Sequence, residues 1–203
     1  MSISKADEAT IKYYDDHAED YELSTAGINL TEQWETFTSR LTAKGKVLDV
    51  GCGGGRDILH FQQLGFTVEA LEPTPKLAKI ARKKTNATIY ELSVLELTAR
   101  CRYDGVWACA SLLHLPAAEI KAAINKLSVA TKHGGYIYIS LKEGADEIRK
   151  PDGRLFTSLT EDGLNNISND LGSLQVIKLW TTEDAAQRSG VRWLNILFRK
   201  KST

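Results

Sequence analysis

The sequence predicts an α/β fold, an open and mostly parallel sheet with helices on both faces, and three observations predict it. The first is the run Val47-Leu48-Asp49-Val50, which breaks into glycines at Gly51, Gly53, Gly54 and Gly55 and resumes with Ile58, Leu59, Phe61 and Leu64 at helical spacing. The second is alternation: strand-like and helix-like segments succeed one another several times between residues 46 and 141, which requires right-handed crossovers. The third is where alternation stops. Leu174 to Leu179 and Trp193 to Phe198 read as strands with no helical pattern between them, so they pair antiparallel.

The elements follow in order. Residues 6 to 22 carry Ile11, Tyr14, Ala18 and Tyr21 near a helical stripe, predicting one N-terminal helix, with His17 a solvated residue on it. Trp34 to Leu41 forms a second helix, and the first strand and the glycine turn come next. Gly65 ends the following helix, Phe66 to Leu71 is the second strand, and Thr74 caps a helix that Pro75 opens. Thr88 to Leu92 and Tyr103 to Cys109 are the third and fourth strands. Pro116 opens a helix whose Ile120, Ile124 and Leu127 share a face, His133-Gly134-Gly135 is a turn, and Tyr136 to Leu141 is the fifth strand. Lys142 to Thr157 reads as a long polar loop, and Ser158-Leu159-Thr160-Glu161 as a capping box for a helix that Gly172 stops.

Composition narrows the function. With 203 residues, 42% of them hydrophobic, the chain can build one core that buries roughly 70% of its unfolded surface, so a single domain is expected. Basic and acidic residues number 26 each, which argues against nucleic acid or an anionic membrane as partner. No apolar stretch approaches a membrane span, and Met1 to Ala9 lacks the pattern of a secretion signal. Cys52, Cys101 and Cys109 show no metal-ligand spacing and are odd in number. The expectation is a cytoplasmic protein with reduced cysteines and no metal.

The glycine turn lies at the carboxyl edge of the sheet, where open α/β folds bind ligands. It lacks the Gly-Lys-Ser/Thr of a phosphate loop, and Arg56 stands where a dinucleotide fingerprint needs its third glycine. Asp49 beside it would repel pyrophosphate but pair with an ammonium or a hydroxyl. Glu72, closing the second strand about 20 residues on, is positioned to accept hydrogen bonds from both hydroxyls of a ribose.

Together these pieces resemble the class I S-adenosylmethionine-dependent methyltransferases. Val47 to Gly55 looks like their glycine motif, and Glu72 matches the acid ending their second strand. Trp107-Ala108-Cys109-Ala110-Ser111-Leu112-Leu113-His114 is similar to the fourth-strand motif of the small bacterial tellurite-resistance-like branch, with a methyltransferase type 11/12-like domain. Tyr14-Asp15-Asp16-His17-Ala18 to Tyr21, Ser140 to Gly144, Gly153 to Phe156 and Trp193 to Ile196 resemble further parts of that branch.

The resemblance implies a Rossmann-like three-layer sandwich on a seven-stranded sheet, its last strand antiparallel and inserted between its two predecessors. It implies one methyltransferase domain: a helical cap over 1–45, a cofactor-binding core over 46–141, and a loop, helix and antiparallel strand pair over 142–203. S-adenosylmethionine, leaving as S-adenosylhomocysteine, would be held by Asp49, Gly51, Cys52 and Gly53 at its methionine end, by Glu72 and Pro73 at the ribose, and by Ser93, Val94 and Leu95 at the adenine. Ala110 and Ser111 would follow the methionine amino group. Ser93 stands where the family commonly has an acid, so either its hydroxyl takes the adenine amino group or Glu91 or Glu96 does. Arg56 either meets the cofactor carboxylate or forms an ion pair.

His114, Tyr14 and Tyr21 are the candidate catalytic residues. His114 can move protons near neutral pH or merely orient its loop. Tyr13, Tyr14 and Tyr21 belong to a lid over residues 1–30, and a second lid spans 142–157. Lys142, Arg149, Arg154 and Arg192 either bind an anionic acceptor or are solvated charges. The expected substrate is a small molecule. Two rival functions share some of these features: a sensor that binds S-adenosylmethionine without turnover, and a nicotinamide-dependent oxidoreductase, against which the absent third glycine weighs.

Overall fold

The computed structural model describes residues 7–202. Four parallel strands carry the first half of the sheet: β1 (Lys46–Val50), β2 (Thr67–Leu71), β3 (Thr88–Tyr90) and β4 (Tyr103–Cys109). They are followed by β5 (Thr131–Glu143), β6 (Glu147–Arg149), β7 (Leu155–Leu159), β8 (Leu174–Glu183) and β9 (Arg192–Lys200). The order across the main sheet is β3-β2-β1-β4-β5-β9-β8, with β9 antiparallel to both its neighbours. That is the seven-stranded, Rossmann-like arrangement with the last strand inserted between its predecessors.

Helices cover both faces because strand residues alternate between two cores. Val47, Val68, Trp107 and Tyr138 pack with Phe37 of α3 (Thr31–Thr38), Ile58 and Phe61 of α4 (Arg56–Gln63) and Ala78 and Ala81 of α5 (Pro75–Lys84). Leu48, Val106, Ile137 and Ile139 face Ile120, Ile124 and Leu127 of α6 (Ala117–Ala130) and Leu164 of α7 (Glu161–Leu171). Trp107 and Tyr138 stack with centroids 4.0 Å apart at the centre of the first core.

The structure corrects several expectations. The single N-terminal helix is two, α1 (Glu8–Asp16) and α2 (Ala18–Ala26). At the break, His17 leaves the helical region and its ring donates to the Tyr13 carbonyl at 2.8 Å. Met1 to Ala6 of the expected cap lies outside the described residues. The turn at His133-Gly134-Gly135 is an irregular start of β5, where the register with β4 slips between Tyr103 and Gly105. The polar stretch 142–157 is not a plain loop but holds the β6–β7 hairpin.

Where β4 ends at Cys109, opposite Ser140, β7 takes its place beside β5 at Lys142 and Glu143. The helix caps also differ. Thr160 alone caps α7, accepting from the Gly163 amide. Thr74 sits at the N-cap of α5 with no side-chain cap; Asp15, from α1, takes the Lys76 amide instead at 2.9 Å.

Candidate active site

The site lies at the carboxyl ends of β1, β2, β4 and β5, where two cavities meet. One is a narrow apolar pocket of about 110 Å³ between β2, β3 and α1. The other is a cleft of about 840 Å³ between α1–α2, the glycine turn and the ends of β5 and β9. Gly51, Gly53, Ala110, Tyr14, Tyr21 and His114 border both.

Backbone builds the first wall. Gly51 has φ +71°, and a Cβ there would lie 2.5 Å from the Ser111 Cβ, so only glycine lets the β1 and β4 turns come this close. The amides of Gly51 and Cys52 both donate to the Leu71 carbonyl, at 2.7 and 3.1 Å. Glu72 then fixes the turn to β2: its Oε2 accepts from the Gly53 amide and its Oε1 from the Thr74 amide, each at 2.8 Å. Burial pushes the Glu72 carboxyl above the usual range, and those two amides oppose the rise.

Two buried oxygens near the turn have no partner among the described residues, Asp49 Oδ2 and Ser111 Oγ. Burial and the nearby Asp57 carboxylate push the Asp49 carboxyl well above its ordinary value. Ala110 leaves β4 with φ +51°, its amide donating to Ser140 Oγ at 2.9 Å.

The pocket side gathers Glu72, Pro73, Ser93, Val94 and Ser111 as expected neighbours, while Cys52 and Arg56 border the cleft. Asp49 and Leu95 border neither; Leu95 is buried in the core against α6. Ser93, Glu91 and Glu96 lie in different surroundings. Glu91 pairs on the surface with Arg82, and Glu96 accepts the Ser93 amide at 2.9 Å in a capping box, which leaves Ser93 at the pocket. Its hydroxyl already accepts the Leu95 amide at 3.3 Å.

Arg56 forms an ion pair. Its guanidinium grips Asp57 with two bonds, 2.7 and 2.9 Å, and the same carboxylate accepts the indole N–H of Trp34 at 3.1 Å and of Trp107 at 2.8 Å. Sequence reasoning missed this carboxylate, although an aspartate opening an apolar helix is a sign that something buried needs it. It also missed Leu71, Leu77 and Leu92 of the pocket and Asn195 of the cleft, which accepts the Tyr138 hydroxyl at 2.6 Å. A lone asparagine inside Trp193-Leu194-Asn195-Ile196-Leu197 was the available signal.

Helices α1 and α2 bring Tyr14 and Tyr21 to the junction, their rings edge to face at 4.9 Å. His114 Nδ1 lies 2.7 Å from the Leu155 carbonyl, so this nitrogen carries the proton and donates. Nε2 is therefore the acceptor in the 2.9 Å bond with the Tyr14 hydroxyl, which donates. Burial lowers the His114 pKa to about 4, and the ring is neutral at physiological pH. α1 is tied down by Asp7 to Arg149 of the hairpin at 2.8 Å and by Thr10 Oγ1, which accepts the Leu155 amide at 2.9 Å. Among the described residues no cluster of His, Cys, Asp and Glu suits a metal ion, and no helix is long and apolar enough to cross a membrane.

Residues 47–135 match a family model described as a methyltransferase domain. An uncharacterized methyltransferase of Synechocystis is 28% identical over 134 residues, 64% of this chain and 63% of the relative. A probable S-adenosyl-L-methionine-dependent methyltransferase, TehB, of Haemophilus influenzae is 25% identical over 167 residues, 77% of this chain and 57% of the relative. The chain thus spans less than two thirds of either. Among solved structures, a Burkholderia thailandensis 1,6-didemethyltoxoflavin-N1-methyltransferase, with its namesake and S-adenosylhomocysteine bound, superposes with a TM-score of 0.78. The two are 20% identical, and the match covers 95% of this chain and 85% of that one.

Proposed function

We propose that the chain is a class I S-adenosylmethionine-dependent methyltransferase and that it moves the methyl of S-adenosylmethionine to a nucleophile on a small molecule in the cleft. The observation that carries this reading is the junction of the two cavities, where a pocket fit for a nucleoside opens into a larger space at Gly51, Ala110 and Tyr14.

The residues present suit the methyl donor. Each Glu72 oxygen has one amide partner and can accept a second bond, which leaves two positions for the ribose hydroxyls. The apolar side chains of Leu71, Leu92 and Val94 offer flat contact to a purine, beside the Ser93 hydroxyl. The buried Ser111 hydroxyl, which lines the pocket, lacks a partner among the described residues, as expected of a group completed by a polar ligand. When bound, S-adenosylmethionine supplies a sulfonium methyl open to in-line displacement.

The chain's own contribution is alignment and exclusion of water, which can be worth roughly 7–11 kcal/mol of barrier. Tyr14 and Tyr21 cover the junction. His114, neutral and bonded through both ring nitrogens, orients the Tyr14 hydroxyl and does not act as the proton acceptor. A cytoplasmic setting accords with the three free cysteines, and the balanced charge favours a small acceptor over nucleic acid.

The test is calorimetry with S-adenosylmethionine and S-adenosylhomocysteine, followed by transfer of labelled methyl into fractionated metabolite pools. Micromolar binding together with labelled product is the expected result. Binding with no product in any pool would replace the enzyme by a sensor, and no binding would end the reading.

A further inference from the structure

One side of the cleft gathers three cations, two of them around one aromatic ring. Lys142 Nζ lies 3.9 Å from the centroid of Phe156, and the Arg154 guanidinium carbon lies 5.2 Å from that centroid and 4.1 Å from that of Tyr13. Arg188 borders the same cavity. Phe156 in turn packs on His114, their ring centroids 4.9 Å apart, so this cluster adjoins the junction where Tyr14 sits.

Two of the cations have partners. Arg154 is held by Asp152 at 2.6 Å, and Arg188 grips Asp184 with bonds of 2.8 and 2.7 Å. Lys142 has none: among the described residues no carboxylate lies within 4.0 Å of its Nζ, and the ammonium makes no hydrogen bond. Its neighbouring acids are engaged elsewhere, Glu143 with Arg192 at 3.3 Å and Asp184 with Arg188 and the Trp193 indole. Burial, followed by the charges of Arg188, Lys150 and Arg154, pulls the Lys142 pKa down. A half-buried ammonium in a positive field is a costly arrangement unless an anion completes it.

We propose that the methyl acceptor is a small organic acid whose carboxylate sits against Lys142 Nζ, with its nucleophilic atom directed toward the Tyr14 end of the cleft. The proposal rests on the reading of this cleft as the acceptor side. Among the cations lining this side of the cleft one charge is left uncompensated, because both arginine forks are committed to their own aspartates and Lys150, which also acts on Lys142, lies outside the lining. That favours a singly charged carboxylate over a phosphate ester, which would draw on a free guanidinium fork.

The full chain, saturated with S-adenosylhomocysteine, should be titrated with acetate and benzoate against their neutral isosteres acetamide and benzamide, and with inorganic phosphate, using ligand-observed NMR. At least one acid should bind ten times tighter than its amide. K142Q should abolish that preference, and K142R should restore part of it, while S-adenosylhomocysteine affinity stays within twofold. Equal binding of acids and amides, a preference unchanged in K142Q, or phosphate binding tighter than either acid would each overturn the proposal. Failure of the wild type to bind S-adenosylhomocysteine would instead strike the methyltransferase reading, since the acid-to-amide comparison can be run on the chain without it.

Discussion

The pocket beside β2 and the cleft beyond β4 are made differently. The pocket's polar work is done by backbone: left-handed glycines, the Gly53 and Thr74 amides, and one carboxylate that ties them together. The cleft is made of side chains that meet across long stretches of sequence, such as Tyr14 with His114 and Tyr138 with Asn195. A backbone-built wall tolerates few residue types and suits a ligand that never changes. A side-chain wall can be rewritten without moving the sheet, which suits an acceptor that differs between relatives.

The sharpest way to break this contrast is Gly51→Ala. The new Cβ meets Ser111 in a left-handed position, and we expect at least a hundredfold loss of S-adenosylhomocysteine affinity by calorimetry. Glu72→Ala should come next, at ten- to hundredfold. It strands the Gly53 and Thr74 amides, at about 1–3 kcal/mol for each buried group left unpaired, so melting should fall together with affinity.

Cleft substitutions should behave otherwise. Tyr14→Phe is expected to lower turnover about tenfold while changing S-adenosylhomocysteine affinity less than threefold; equal losses in both would erase the distinction.

His114 gives a test in pH. Its folded pKa of about 4 lies below the unfolded value near 6.5. As pH falls through that window the unfolded chain binds a proton that the native ring refuses, so stability declines from pH 6.5 toward 4. His114→Gln should flatten that part of the curve by up to about 3 kcal/mol at pH 4, read by urea melts.

The smallest effect belongs to the lid anchor. Arg149 holds the Asp7 carboxyl down to about 2, against an ordinary value of 3.8. The anchor is intact above pH 4 and is lost as pH drops through 2. Arg149→Ala should raise amide exchange in α1 at neutral pH and change melting little, because the arginine is half exposed.

The same contrast explains what could be read before any coordinates. The glycine turn, Glu72 and the alternation up to Leu141 were legible because each is local: a residue type dictates a backbone shape within a few positions. The antiparallel end was legible from the missing helix between β8 and β9. The hairpin within 142–157 was not, since Glu147–Arg149 is exposed and only three residues long, with Ile148 its one apolar residue. Nor was the break at His17, which depends on a ring turning back to the Tyr13 carbonyl. Asp57 and Asn195 escaped because their significance lies in donors from remote segments, and Leu95 was assigned to the ligand because core and pocket residues are the same types.

The Asp57 carboxylate has one more consequence. It holds the indoles of Trp34 and Trp107, and Asp184 holds that of Trp193, so three of the chain's four tryptophans have their N–H fixed on a carboxylate. Trp34 and Trp193 also border the cleft. Intrinsic fluorescence is therefore a built-in gauge: an arriving guest that disturbs either carboxylate should shift the emission colour, with no dye attached.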